Sequence, residues 1–386
     1  MPSVYDLKLE YFGMDPERGF LPVKDPLVSL PTEFGYLDSF GLQLPGLIKQ
    51  GMVNKVAKKL PIPSRKELAS LDEQTMQLAW VRYGFIQSAC VHSQRTGAPI
   101  SICKNIALPM YALSRFLNKP PILSYDAYVL NNWKRKDPNG PIKVDNLKLI
   151  QTFIEDFDQA WFILIHVDIE YEAATAIRNL AEAVLSANSN RMFDDDAEDV
   201  FERALFNIFK ALRNMIATME RMPEGTSPGK YYKIRPWIMS FEKVIYEGVQ
   251  EYAGLPQSFR GQTGAQTSIF QLLEAGLQMP PMESNELAGY LKEMRLYMPL
   301  GHRKLIMEIE GISEVRNFIK LRAPYLAEIY NKCVDGICDF LEMHFEYAIT
   351  YIRRKTSNPK GTGGTDFMTY LKSRLNERRA GAYLRN

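Results

Sequence analysis

Histidine and cysteine are scarce in this sequence, and neither residue has the spacing of a zinc site. The 386 residues include four histidines and four cysteines, and no CxxC, HxH or HExxH pattern occurs. An ordinary zinc site needs about three or four closely organised ligands, so we do not expect dedicated zinc chemistry. The cysteines are also too sparse to cross-link a chain of this length, which predicts a reducing, cytoplasmic setting.

Two further absences concern charge and hydropathy. Basic and acidic residues number 47 and 45, and a formal net charge of +2 gives no reason to expect a nucleic-acid partner. No uncharged apolar run approaches the roughly 20 residues of a membrane-spanning helix, and the first residues lack the pattern of a secretory signal. With 46% hydrophobic and 24% charged residues, the composition is typical of a globular protein without a membrane partner. The sequence does not specify an oligomeric state.

Common motifs for nucleophilic catalysis and for nucleotide binding are missing as well. The sequence has no GxSxG elbow and no GxxxxGK[ST] loop. Its two glycine-rich segments, residues 260–266 and 360–366, follow no strand pattern and match no dinucleotide fingerprint. Each segment is either an ordinary loop or helix start, or a place where backbone without Cβ atoms approaches a ligand.

The chain has two parts that differ in composition and in hydrophobic pattern. Residues 1–60 are rich in proline and glycine, so we expect extended segments, turns and short helices there. A helical pattern follows, and Ser70 or Asp72 is expected to cap its apolar run. Apolar residues then recur at three- and four-residue steps over residues 145–187 and again over residues 194–222, which predicts long helices.

Strand signals are weak throughout, so the sequence predicts a mainly α fold. A connection that contains proline and glycine ends the first part near residue 145. We therefore expect a small N-terminal domain with its connecting segment over residues 1–145, and a large helical domain over residues 146–386.

Two of the four histidines lie in apolar helical stripes. If residues 333–353 form a helix, His344 shares a face with apolar and aromatic residues on both sides of it, and His166 does the same in its own run. A buried neutral imidazole must satisfy its acceptor nitrogen, and either a metal or a hydrogen bond does so. Two such histidines suit a cofactor held inside a helical bundle, but two structural hydrogen bonds explain the pattern equally well.

Four motifs carry a family resemblance. They are the KGTGGTDFM tail at residues 360–368, the RLYMP stretch at residues 295–299 with His302 and Arg303, the segment 261–271, and the stretch 120–134 that runs from PPIL to NWK. These motifs resemble those of the indoleamine 2,3-dioxygenase family and occur in the same order along the chain as in that family. The resemblance implies a mainly helical protein whose large C-terminal domain holds haem b. It also implies that tryptophan or a related indole reacts with dioxygen across the C2–C3 bond to give N-formylkynurenine.

The resemblance implies roles for three residues near the iron and the substrate. His344 corresponds to the proximal iron ligand, and Arg235 to the arginine that binds the substrate carboxylate. His166 falls where the family often has serine, and it resembles the distal histidine of tryptophan 2,3-dioxygenases. An imidazole there is expected to take part in catalysis, either by accepting a hydrogen bond from the indole N–H or by donating one to bound dioxygen.

Other residues are implied to surround the substrate. Tyr125 and Phe162 correspond to the aromatic residues that enclose the indole ring. Thr263 and Gly264 correspond to a loop that contacts the substrate and the haem. Thr362 corresponds to a position in the mobile glycine-rich loop that closes over the substrate and excludes water.

Two further positions differ from the family pattern. Family members often have two adjacent phenylalanines before the arginine. One of these positions corresponds here to Lys230 or to Tyr231, depending on the alignment. Some members have a basic residue near the proximal histidine that contacts a haem propionate. The corresponding residue here is Leu341, so we expect other residues to bind the propionates. Two other functions stay open: a haem enzyme of the pyrrolnitrin-pathway type acting on a chlorotryptophan, and a haem or indole binder without turnover.

Overall fold

The computed structural model describes residues 7–94, 99–188, 195–283, 285–352, 361–364 and 366–384. Over these residues the predicted mainly α fold is confirmed. The α-helices are α1 (Gly35–Gln50), α2 (Val53–Ala57), α3 (Arg65–Ala69), α4 (Glu73–His92), α5 (Lys104–Leu117), α6 (Phe157–Ala187), α7 (Asp195–Glu220), α8 (Met222–Gly225), α9 (Pro228–Ile234), α10 (Ile269–Gly276), α11 (Asn285–Arg295), α12 (Leu300–Ile312), α13 (Val315–Leu321), α14 (Ala327–Tyr351) and α15 (Phe367–Gly381). The strands are β1 (Ser101–Ile102), β2 (Trp133–Arg135), β3 (Leu147–Leu149), β4 (Phe241–Tyr246) and β5 (Gln257–Phe259).

Carboxylate caps set the start of two helices that matter below. The carboxylate of Asp72 accepts a hydrogen bond from the backbone N–H of Thr75 at 2.8 Å, so the cap predicted at Ser70 or Asp72 is confirmed at Asp72. Asp366 caps α15 in the same way and accepts from the N–H of Met368 at 3.1 Å. Helix α15 therefore begins directly after the glycine-rich segment.

Helix α6 begins later than the apolar periodicity predicts. The helix predicted from residue 145 is wrong for residues 145–156, because β3 in this segment pairs antiparallel with β2. Trp133 of β2 lies opposite Leu149 and is fully buried. Cross-strand packing of a tryptophan thus outweighs the helical pattern of the local sequence.

Helix α1 has 16 residues and runs through a proline, so the prediction of only short helices within residues 1–60 is wrong. Pro45 has no N–H to donate to the carbonyl of Gly41, one turn earlier. That carbonyl instead accepts a hydrogen bond from Nε2 of Gln151 at 3.0 Å. Oε1 of Gln151 in turn accepts from Arg82 at 2.7 Å. The helix continues because a buried amide from a distant part of the chain replaces the missing backbone donor.

A small sheet joins segments from both sides of residue 145. Strand β1 pairs in parallel with β4, with Ser101 opposite Ile245, and β4 pairs antiparallel with β5. The segment after β5 leads directly into residues 260–266, so this sheet holds one end of that glycine-rich segment. The division into domains at residue 145 stays a prediction.

The four cysteines are free and buried. Burial raises the pKa of every one of these thiols, and that of Cys338 rises to about 11. The thiol of Cys333 also donates a hydrogen bond to the carbonyl of Leu205 at 3.3 Å. All four thiols are therefore protonated at neutral pH. Among the described residues, no helix is both long and apolar enough to cross a bilayer.

Candidate active site

A cavity lies between α6 and α14 and opens in part to solvent; its empty space is about 1390 Å³ when the open solvent at its mouth is included. The rest of the lining comes from α7, α8, α9, α10, α11 and α15, from Tyr125, and from the segments 262–267 and 361–363. Most lining side chains are aromatic or aliphatic, and two are imidazoles.

All the predicted site residues except Arg235 line this cavity. Those that line it are Tyr125, Phe162, His166, Thr263, Gly264, His344 and Thr362. Arg235 is buried directly after α9 but lies outside the lining. Burial raises the pKa of Tyr231, and the nearby guanidinium of Arg235 opposes that shift. Arg235 is therefore near Tyr231, which lines the cavity, without being part of the lining itself.

His344 faces the cavity from the apolar stripe of α14. The predicted stripe is confirmed, because residues 337, 340, 341, 348 and 351 are all buried. The imidazole makes no hydrogen bond with any described residue. Burial, with smaller contributions from the nearby His166 and Arg374, lowers the pKa of His344 to about 4. At neutral pH the ring is therefore uncharged and keeps a lone pair on one nitrogen.

Gly264 leaves space in front of the His344 ring. A Cβ atom at this position would lie 3.8 Å from Nε2 and 4.0 Å from Cε1 of His344. The glycine thus keeps side-chain atoms away from the ring edge that carries Nε2.

His166 has one ring nitrogen engaged. Nδ1 lies 2.7 Å from the carbonyl oxygen of Phe162. A carbonyl can only accept, so Nδ1 carries the proton and donates it, and Nε2 of the neutral ring is an acceptor. Burial lowers the pKa of His166, which favours this neutral form.

Aromatic rings form the wall next to His166. The ring centroids of Phe162 and His166 are 4.8 Å apart, and those of Tyr125 and His166 are 6.4 Å apart and nearly perpendicular. Tyr231 packs on Phe162 at 4.8 Å and on Tyr351 at 5.9 Å. These contacts have the tilted and edge-on geometries that aromatic rings prefer.

The structure resolves the choice between Lys230 and Tyr231 in favour of the tyrosine. Tyr231 lines the cavity, whereas Lys230 points away from it and donates to Oδ1 of Asp158 at 2.9 Å. Asp158 also accepts from the backbone N–H of Ser227 at 2.7 Å, which fixes the start of α9. No lysine charge from this segment therefore enters the cavity.

The two glycine-rich segments pack against each other at the cavity. The hydroxyl of Ser240 donates to the carbonyl of Thr362 at 2.9 Å and accepts from the N–H of Gly261 at 3.1 Å. A Cβ atom at Gly261 would lie 2.4 Å from that same carbonyl oxygen, so only glycine allows this approach. Nε2 of Gln266 donates to the Gly261 carbonyl at 3.0 Å, and its Oε1 accepts from the N–H of Tyr125 at 3.0 Å. Residues 361–364 are thus held against the loop that bears Thr263.

Sequence reasoning missed Glu170, which lies one turn after His166 on α6. The Thr267 hydroxyl donates to its carboxyl at 2.7 Å, and the Tyr125 hydroxyl also interacts with it. Burial raises the pKa of Glu170 to about 7 despite these hydroxyl groups. The four-residue spacing from His166 was the available signal, because it places both side chains on one face of the helix.

The other two histidines bind protein groups away from the cavity. Nε2 of His92 lies 3.2 Å from the carbonyl of Met239. Nδ1 of His302 lies 3.1 Å from the hydroxyl of Ser268, and its ring packs on Phe20 at 4.4 Å. Both are structural histidines by these contacts.

Comparison with known proteins agrees with this arrangement. A sequence model of the indoleamine 2,3-dioxygenase family matches residues 8–360. The chain belongs to this family. It is 31% identical to indoleamine 2,3-dioxygenase 1 of Rattus norvegicus, over 95% of this chain and 93% of the rat protein. It is 23% identical to indoleamine 2,3-dioxygenase of Saccharomyces cerevisiae, over 98% of this chain and 94% of the yeast protein. It is 25% identical to a 6-hydroxytryptophan 2,3-dioxygenase of Fusarium equiseti, over 94% and 95% of the two chains.

Indoleamine 2,3-dioxygenases are haem-dependent enzymes of tryptophan catabolism, and this chain is a haem-dependent indole dioxygenase. The residues of the cavity fit a haem. His344 offers an uncharged imidazole without a hydrogen bond to any described residue, and Gly264 leaves space in front of it. The walls are largely apolar, and Arg374 adds a cation to the lining.

Proposed function

We propose that this protein is a tryptophan 2,3-cleaving dioxygenase that uses haem b, with His344 as the iron ligand. A related indole is the other possible substrate within the same chemistry. The observation that supports the proposal best is the pair of uncharged imidazoles, on α6 and α14, that line one cavity. The ring of His344 has no hydrogen bond to a described residue, whereas His166 is held by Phe162.

The haem would bind and activate dioxygen, and both oxygen atoms would enter the product, N-formylkynurenine. The protein's own part begins with His166. Because Nδ1 donates to the Phe162 carbonyl, the neutral ring offers only an acceptor to the cavity. Of the two predicted roles for His166, its geometry therefore favours accepting the indole N–H over donating to dioxygen.

The aromatic wall and the glycine-rich segments would enclose the substrate. Tyr125 and Phe162 present ring faces and edges next to His166, where an indole would stack. Thr263, Gly264 and Thr362 also line the cavity, and residues 361–364 pack on residue 261 beside them. This packing would limit the access of water to a bound substrate.

Two predictions remain without direct support. Arg235 is near Tyr231 but does not line the cavity, so its role as carboxylate partner stays a prediction. We also propose a cytoplasmic location, which would suit four free and buried cysteines.

Product analysis tests this function. The protein is reconstituted with hemin, reduced, and given L-tryptophan under isotopically labelled dioxygen. We expect N-formylkynurenine that carries two labelled oxygen atoms, detected by mass spectrometry. A rearranged product from 7-chlorotryptophan, with no cleavage of tryptophan, would indicate an enzyme of the pyrrolnitrin-pathway type instead. Retention of hemin without any turnover of tryptophan or chlorotryptophan would indicate a binding protein.

A further inference from the structure

A buried carboxyl joins helix α6 to two other parts of the cavity wall. Glu170 is 1% exposed and lies one turn after His166 on α6. The hydroxyl of Thr267 donates to its Oε1 at 2.7 Å, and the hydroxyl of Tyr125 also interacts with this carboxyl. Tyr125 and Thr267 line the cavity, whereas Glu170 does not. Glu170 therefore contacts two lining residues without being part of the lining itself.

Both hydroxyls act as donors to Glu170. Burial, and then the negative charge of Glu170, raise the pKa of Tyr125, so its phenol keeps the proton at neutral pH. The oxygen of Thr267 accepts from the backbone N–H of Ile269 at 3.3 Å, which leaves its own proton for Glu170. Each hydroxyl also lowers the pKa of Glu170, as a donor to a carboxylate does, although burial raises that pKa more. A carboxyl has two oxygens and can accept from both hydroxyls at once.

The main chain and the ring of Tyr125 are held by different partners. Its N–H donates to Oε1 of Gln266 at 3.0 Å, and Nε2 of Gln266 donates to the carbonyl of Gly261 at 3.0 Å. These bonds fix the main chain but not the rotation of the ring. The hydroxyl at the far end of the ring is held by Glu170, on the helix that carries His166. The Tyr125 and His166 rings lie 6.4 Å apart at an angle of 76°, and Glu170 helps to set that angle.

We propose that Glu170 is a positioning residue for the indole, which it orients through Tyr125. The inference rests on the proposed function, because a bound indole is what Tyr125 would enclose. Contacts between aromatic rings depend on their angle and offset, so a fixed Tyr125 ring favours one orientation of the indole next to His166. The link Tyr125–Glu170–Thr267 is called the carboxyl bridge below. It ties this ring both to α6 and to the segment 262–267.

Two substitutions of Glu170 test the inference in the protein loaded with hemin. Glu170→Met keeps a similar length but removes both acceptor oxygens, whereas Glu170→Gln keeps one. We expect Glu170→Met to weaken tryptophan binding by about twofold to tenfold, the effect of one lost hydrogen bond, and to leave hemin binding nearly unchanged. Glu170→Gln should recover most of the tryptophan affinity. Titrations that follow the haem absorption band measure both affinities. Glu182→Met makes the same change at an exposed position of α6 and should behave like the wild type.

A double-mutant cycle separates positioning from a general effect on the fold. Tyr125→Phe removes the hydroxyl and keeps the ring. If Glu170 acts through that hydroxyl, Glu170→Met should weaken tryptophan binding much less in Tyr125→Phe than in the wild type. A residue that only supports the fold would cost the same in both backgrounds and would weaken hemin binding as well.

A second cycle keeps the test valid if Glu170→Met folds poorly. Tyr125→Phe and Thr267→Val each cut one end of the carboxyl bridge and leave Glu170 in place. Once one end is cut, the bridge no longer holds the ring to the segment 262–267. The double variant should therefore bind tryptophan about as weakly as the weaker of the two single variants. Losses that multiply in the double variant would show that the two hydroxyls act independently, which would overturn the inference.

The remaining outcomes are also decisive. Tryptophan affinity that is unchanged in Glu170→Met, or reduced equally in Glu170→Met and Glu170→Gln, would contradict the inference. If the wild type binds no hemin or cleaves no tryptophan, the proposed function fails and this inference fails with it. If the wild type cleaves tryptophan but neither cycle shows coupling, only this inference fails.

Discussion

His344 and His166 differ in what their ring nitrogens already bind. Nδ1 of His166 donates to the carbonyl of Phe162, one turn earlier on the same helix, whereas the His344 ring makes no hydrogen bond with any described residue. An iron ligand needs a free lone pair and a ring that can orient toward the metal. His344 meets both needs, and His166 is better suited to receive a proton donor from a substrate.

Replacement of the proposed iron ligand is the most direct test at this scale. We expect His344→Ala to abolish stable haem binding, because no other described residue offers an unengaged imidazole to this cavity. Added imidazole should restore the haem absorption band by filling the space of the lost ring. His92→Ala and His302→Ala should keep haem, since their rings contact Met239 and Ser268 instead. A normal haem spectrum in His344→Ala without added imidazole would refute the assignment.

His166 is expected to tune the reaction without being required for it. In His166→Ser we expect intact haem, a moderately lower turnover, and a weaker preference for tryptophan over its N1-methyl analogue. The reason is that serine keeps a polar group but lacks the acceptor nitrogen Nε2, which the hydrogen bond from Nδ1 to the Phe162 carbonyl orients in His166. Steady-state kinetics with both substrates measure the preference. An unchanged preference would show that His166 does not contact the indole nitrogen, and complete loss of activity would show that it is an essential acid or base.

Glu170 makes the opposite contribution to stability from most carboxylates. Burial raises its pKa from 4.5 to about 7, so between these values the folded protein holds a proton that the unfolded chain has lost. The free energy of unfolding therefore falls as the pH rises through this window, by up to about 1.4 kcal/mol per pH unit from this group. Because Glu170→Gln cannot titrate, it does not share this loss. Its free energy of unfolding should therefore rise relative to that of the wild type as the pH increases from 5 to about 7.

Urea unfolding of the apoproteins at several pH values measures this effect. The exposed substitution Glu10→Gln is the control, because it makes the same chemical change outside the cavity wall. If the difference between Glu170→Gln and the wild type stays constant with pH, Glu170 is not a buried, protonated carboxyl.

At the scale of elements, the contact between the two glycine-rich segments forms part of the cavity wall. A Cβ atom at Gly261 would lie 2.4 Å from the carbonyl oxygen of Thr362 and 2.5 Å from that of Ile238, and neither backbone atom is able to rotate away. We expect Gly261→Ala to separate the segments, raise the KM for the indole severalfold, and change hemin affinity much less. Gly229→Ala in α9 is the matched control, because its Cβ would meet nothing within 4 Å. An unchanged KM in Gly261→Ala would show that the contact does not shape the substrate site.

The helical elements around the site were largely predictable, and the reasons are local. The apolar stripe around His344 follows from a repeat of three and four residues, and α14 buries that stripe as predicted. Where prediction was wrong, a distant partner decided the outcome. Gln151 allows α1 to pass through Pro45, and the pairing of Trp133 with Leu149 turns a predicted helix start into a strand.

The same limit applies to single side chains of the site. The family resemblance implied that Arg235 binds the substrate carboxylate. Its position near Tyr231 and outside the cavity lining depends on where α9 ends, and no pattern in the local sequence specifies that point. Arg374 was not considered at all. Its place in the cavity follows from the packing of α15 on α14 and from its ion pair with Glu274, both of which join residues far apart in the chain.

At the scale of the whole molecule, buried neutral histidines make the apoprotein sensitive to acid. Burial, and then the charge of Lys119, lower the pKa of His302 from 6.5 to about 3. Below pH 6.5 the unfolded chain therefore binds a proton that the folded protein does not. The stability that His302 contributes is complete above pH 6.5 and declines as the pH falls through this window, by up to about 1.4 kcal/mol per pH unit.

A substitution that cannot titrate separates this effect from other acid-sensitive groups. We expect the stability advantage of the wild type over His302→Asn to shrink as the pH falls from 7 to 5, in urea unfolding of the apoproteins. Ser268→Ala is the control, because it removes the hydrogen bond to His302 and leaves the imidazole in place. Parallel pH profiles for the wild type and His302→Asn would contradict the depressed pKa.

The burial of the four cysteines has a consequence for an enzyme that handles dioxygen. Oxidation of a cysteine begins at the thiolate, and these thiols are both protonated at neutral pH and shielded from solvent. The sulfur atoms that border the cavity belong instead to Met219 and Met222, whose thioethers oxidise reversibly to sulfoxides. Among the described residues, the cysteines are thus kept out of the cavity lining, and the two sulfur-containing side chains that border the cavity are ones whose oxidation can be repaired.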